Sequence, residues 1–98
     1  MPKPIAINQT ATTTYIPVDA TKAPVIVTSY VISSTAAVTV QWKDSDGNAL
    51  SGPMQIPVNG VIASGYCPDG QFETLQGKGV QLVQTGGGTV GGHFSYIQ

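Results

Sequence analysis

The sequence predicts an all-β domain, a two-sheet β-sandwich of jelly-roll type with about eight short strands and no helix. Three observations carry this reading. Turn signals recur at short intervals, the runs between them are rich in Val, Ile, Thr and Tyr, and polarity alternates along those runs with a period of two. A chain of 98 residues can bury one modest core, and eight short strands in that length suit a sandwich or jelly roll.

Ile5 and Ile7 flank Ala6 in a short extended piece that follows Pro2 and Pro4. Two prolines suit an arm better than a central strand, so residues 1–10 read as an extended N-terminal arm with contacts outside its own domain. Residues 11–98 then form a single β-sandwich domain. Residues 12–18 alternate, with Thr12, Thr14, Ile16 and Val18 on one side and Thr13 and Tyr15 on the other, and Pro17 marks an edge or a strand end.

Residues 25–32 form the most apolar run. Val25, Val27 and Val31 fall on one face and Ile26, Tyr30 and Ile32 on the other, so the strand calls for cover on both sides. A small sandwich covers a sheet face only once, and this predicts self-association, as a homotrimer. The candidate interface residues are Ile5, Ile7, Ile26, Tyr30 and Ile32.

Val38, Val40 and Trp42 alternate cleanly with Thr39, Gln41 and Lys43, which places Trp42 in the core. Asp44-Ser45-Asp46-Gly47-Asn48 is a tight turn. Asn59-Gly60 between residues 54–58 and 61–66 reads as a hairpin, weakened by Pro57, and Pro68-Asp69-Gly70 as another turn. Phe72, Thr74 and Leu75 suggest a short extended piece, Val80, Leu82 and Val83 a strand, and residues 93–97 the last strand after a flexible glycine-rich loop over residues 86–92.

Composition narrows the function. Charged residues make up 9% of the chain, against about a quarter in ordinary domains, so the surface is polar but almost uncharged. Such a surface loses little hydration when buried against a partner, which suits an assembled protein. The net charge of −1 provides no basic stripe for nucleic acid and no polybasic segment for anionic lipid. The first residues lack the apolar run of a signal peptide, and synthesis in the cytoplasm is expected.

No set of residues points to catalysis or a cofactor. Asp44-Ser45-Asp46-Gly47-Asn48 lacks the further oxygen ligands of a calcium loop, and the acids Asp19, Asp44, Asp46, Asp69 and Glu73 sit mostly in turns rather than facing each other. Cys67 and His93 have no flanking motif of a nucleophile and base, so they read as a half-buried free thiol and an ordinary strand-start histidine. The glycine run lacks the lysine and the following helix of a phosphate loop. Trp42, Tyr15, Tyr30, Tyr66, Phe72, Phe94 and Tyr96 could include a sugar-stacking platform, but packing is the simpler role.

From Tyr30 onward, and over about two-thirds of its length, the chain resembles a group of small structural proteins of tailed bacteriophages and prophages. The residues that carry the resemblance are Ser29-Tyr30-Val31-Ile32-Ser33-Ser34, Ala37-Val38-Thr39-Val40, Leu50-Ser51-Gly52-Pro53-Met54, Pro68-Asp69-Gly70-Gln71-Phe72-Glu73-Thr74 and Val90-Gly91-Gly92-His93-Phe94-Ser95-Tyr96. Gln71 stands where that group often has an aromatic. The resemblance implies a non-enzymatic virion component, a capsid decoration (cement) protein on the outer shell, with the major capsid protein and its own copies as partners. The alternative is a receptor- or carbohydrate-binding module of a phage tail or fibre.

Overall fold

The computed structural model describes residues 2–98 and contains nine strands, with no helix among the described residues. They are β1 (Lys3–Gln9), β2 (Thr13–Ile16), β3 (Ile26–Ser34), β4 (Val38–Asp44), β5 (Met54–Ile56), β6 (Val61–Ala63), β7 (Phe72–Glu73), β8 (Val80–Thr85) and β9 (Val90–Ile97). One sheet runs β1-β9-β3-β6, with β7 also paired to β3, and the other runs β2-β8-β4-β5; all pairings are antiparallel. Successive strands therefore cross from sheet to sheet almost throughout. That order, with β7 as an extra two-residue strand, is the jelly roll.

Alternation explains the core. Val38, Val40, Trp42 and Asp44 of β4 are all buried while Thr39, Gln41 and Lys43 between them are not, as expected for a strand with one face inward. Trp42 is fully buried among aromatic rings, 5.1 Å from Phe94 edge to face, 5.7 Å from Tyr30 and 5.7 Å from Phe72. Val25, Val27, Ile32, Leu82, Val80 and Val90 fill the remaining space between the sheets. Each such buried side chain stabilises the fold by about 1.5–3 kcal/mol.

Two bulges change the faces read from strict alternation. In β3 the register with β9 shifts between Val27 and Ser29. Thr28 takes up the extra residue, so Val27 before it and Tyr30 and Ile32 after it all point inward. The two apolar faces of this run are thus one face that changes parity, and the strand itself no longer demands cover on both sides. A second bulge between Thr14 and Ile16 turns Tyr15 and Ile16 toward the core together.

The N-terminal arm expected over residues 1–10 is a strand of the sandwich instead. Lys3 to Gln9 pair residue by residue with β9, and Ile7 and Gln9 are buried; Met1 lies outside the described residues. Pro4 is tolerated because β1 is an edge. The N–H of Asn8, on the same side of the strand, goes to the Tyr15 hydroxyl rather than to β9, so the position of the missing Pro4 N–H faces away from the sheet.

The Asn59-Gly60 hairpin is also replaced. β5 pairs with β4 and β6 with β3, so the turn between them carries the chain from one sheet to the other. Asn59 adopts φ 57° there, and the Gly60 N–H closes the turn on the Pro57 carbonyl at 2.9 Å. The glycine run, expected to be all loop, gives way to β9 at Val90. Gly92 lies where a Cβ would overlap the Val31 carbonyl oxygen, and only glycine lets the two strands approach there.

Candidate interaction surface

The jelly roll has two ends, built from alternate loops. One end gathers residues 10–12, 35–37, 57–60 and 86–89, and hydrogen bonds tie them into a single platform. The Thr35 N–H donates to the Thr89 carbonyl and the Thr89 N–H to Thr35 Oγ1, both at 3.0 Å, and the Ser34 N–H donates to the Gly60 carbonyl at 3.2 Å. Gln84 Nε2 donates to the carbonyls of Thr10, Gly86 and Gly88. No charged residue occurs in these four loops.

All nine charged side chains lie toward the opposite end. Lys3 pairs with Tyr96 at the start of β1, and Lys22 lies across a shallow hollow from it. Lys43 and Asp44 end β4, Glu73 lies opposite Ile26, and Asp69 occupies the turn closed by the Gly70 N–H on the Cys67 carbonyl. Asp46 forms an ion pair with Lys78, which holds the lysine ammonium above its ordinary pKa, and the loop with Asp19 is bonded to the loop of Gly77.

The uncharged end carries two exposed aliphatic side chains, Val58 and Val61, each about 62% accessible. A depression of about 380 Å³ opens on one side of the 57–60 turn, with Val38, Ile56 and Pro57 in its wall. A second, of about 310 Å³, opens on the other side against Asn59, Gly60, Thr35 and Thr89. The surface is therefore uncharged, partly apolar, relieved in shape and held by its own hydrogen bonds. Such a patch can be buried without stripping water from an ion.

The interface residues expected from sequence do not form a surface. Ile7 and Ile32 are buried in the core on either side of Gly92, so neither side chain can reach a partner. Ile5 and Tyr30 flank Phe94 in the same layer, half-buried and inward, and the Tyr30 hydroxyl lies 3.4 Å from Met54 Sδ. Ile26 alone of the five faces out, beside Ile97 and Glu73 near the charged end.

The other constellations resolve as packing and turn chemistry. Among the described residues Tyr66 is the one exposed aromatic, and it lies in the loop that leads toward Asp69, so no stacking platform is assembled. The Asp44 carboxylate is filled by its own turn, accepting from the N–H groups of Asp46 and Asn48 at 2.9 Å each and from Asn48 Nδ2 at 3.2 Å. Burial pushes its pKa up, but these donors and the nearby Lys78 outweigh that and hold the carboxyl below the usual range. Cys67 is half-buried and free, and the His93 side chain is exposed. No cluster of metal-ligating side chains occurs among those residues either.

Reading strands singly misses the uncharged end, although its signal is present in the sequence. Residues 4–18, 23–42, 47–68 and 79–98 contain no Asp, Glu, Lys or Arg, and each of these stretches passes through the same end of the sandwich once the loops are assigned alternately. No family model, curated protein or solved structure matches the chain.

Proposed function

We propose that this protein is a non-enzymatic structural component of a tailed-phage virion, a capsid decoration protein that seats on the outer shell and stabilises it. The observation that carries the reading is the segregation of charge. One end of the jelly roll holds every ionised side chain and suits water, while the other is uncharged and suits burial against a protein. The likeness to phage structural proteins between Tyr30 and Tyr96 supports the same reading.

Self-association, as a trimer, belongs to the proposal with a different support from the strand faces. The outer side of the first sheet presents Ala6, Val31, Val61 and Ala63 around His93, with no lysine or aspartate among them. The test is direct. Purified protein is added to shells assembled without it, and the particles are imaged by electron microscopy. Added density at symmetric surface sites is the expected result, and shells that stay bare remove the reading.

A further inference from the structure

Resting on that reading, we infer that the 57–60 turn is the element that enters the partner, and that the partner presents a charge-free protein surface held by shape and apolar contact. The turn stands as a ridge between the two depressions. Pro57 forms a wall of one, Asn59 and Gly60 a wall of the other, and Val58 is exposed at the crest. A projecting aliphatic side chain with a hollow on each flank is a shape that interlocks with a partner rather than lying flat against it.

The ridge is rigid before it binds. Asn59 holds φ 57°, the Gly60 N–H bonds the Pro57 carbonyl at 2.9 Å, and the Gly60 carbonyl accepts from Ser34 at 3.2 Å. A Cβ at Gly60 would come within 2.6 Å of the Pro57 ring, so the turn is packed against itself. Little conformational entropy remains to be lost on docking.

The chemistry around the ridge favours one class of partner over the others. Nucleic acid and anionic lipid need cations, and all four lysines lie toward the opposite end. A divalent cation needs carboxylates, and none occurs in the four loops. Stacking of a sugar needs an exposed ring, and the exposed Tyr66 belongs to another loop. An uncharged protein surface is the partner class left, and it needs no ion pair to hold it.

The test measures binding of the full chain to shells assembled without it, in about 0.05 and about 0.5 M salt, the range over which surface ion pairs are screened. Wild-type affinity should change by less than about twofold, because no charge pair is being screened. Val58→Asp should weaken binding by more than about tenfold, because it buries an unpaired carboxylate, and Val58→Ala should fall between. Lys22→Glu, at the far end, should bind as wild type does. Val58 is exposed, so the melting temperatures of its variants should match wild type and separate docking from folding. Full binding by Val58→Asp, or a steep salt dependence in the wild type, overturns the inference and leaves the decoration reading standing. A wild type that binds no shell at either salt overturns both.

Discussion

The Tyr15 hydroxyl donates to Gln9 Oε1 at 2.7 Å and joins β2 of one sheet to β1 of the other. Gln9 in turn donates through Nε2 to the Leu82 carbonyl and to Gln84 Oε1, both at 3.2 Å, and the Asn8 N–H donates back to the Tyr15 hydroxyl at 3.2 Å. Gln9 is buried, so every one of these bonds counts. Tyr15→Phe should cost about 1–3 kcal/mol in urea denaturation, because it leaves a buried amide oxygen without its donor. A midpoint equal to wild type would show that water takes the place of the hydroxyl.

The same tyrosine contributes sensitivity to alkali. Burial pushes its pKa above the ordinary value, with the Asn8 N–H pulling the other way more weakly. A folded-state pKa raised above the unfolded one gives stability that is complete below about pH 10 and is lost as pH rises through the folded value. Melting temperature should fall above about pH 10 and fall less in Tyr15→Phe.

Asp44 contributes sensitivity to acid with the opposite sign. Its folded pKa lies below the unfolded value, so its contribution is complete above about pH 4 and is lost as pH drops through the folded value. Asp44→Ala should cost about 1–3 kcal/mol near neutrality by removing the acceptor of three turn donors. The difference between wild type and variant should shrink in melts taken below about pH 3.

Trp42→Ala should cost about 3–5 kcal/mol as a large-to-small change in a closed core. Trp42 Nε1 is buried with no hydrogen-bond partner among the described residues, so Trp42→Phe removes an unsatisfied donor along with some volume and should cost clearly less. Thermal melts of the two variants decide. Equal losses would show that the indole N–H contributes nothing unfavourable.

Gly79 and Gly87 make a matched pair. A Cβ at Gly79 would overlap the Ile16 carbonyl, backbone that cannot move aside, whereas nothing lies within 4 Å of one at Gly87. Gly79→Ala should lower the melting temperature steeply and Gly87→Ala should leave it within a few degrees, about 0.5 kcal/mol either way.

Where the sequence was legible, local rules were enough. β4 and its turn follow from alternation and from Gly47, which adopts φ 87°. The two-sheet class follows from strand length and spacing. The failures share a cause, which is that a pairing partner lies far away in the chain. The bulge at Thr28 is set by β9, some 67 residues on, and it alone separates a strand with two apolar faces from one with a single inward face. Asn59-Gly60 carries a hairpin signal, but the partners of its flanking strands lie in different sheets. The interface residues expected from sequence rest on the unshifted parity of β3 and on an unpaired β1. The uncharged end exists only in the folded chain, where four loops far apart in sequence meet.

The placement of β9 between β1 and β3 also sets a timetable. The second sheet can pair completely from residues 13–85, but the first cannot close until β9, the last of the nine strands, arrives to fill its middle. A chain emerging from the ribosome therefore holds β1 and β3 apart, with the inward Ile5 and Ile7 uncovered, until residues 90–97 are free. Closure over that span is slow, since its entropy is lost before its contacts form. The interval before residues 90–97 pair is therefore the aggregation-prone one, and the scarcity of charge leaves little repulsion to protect the chain then.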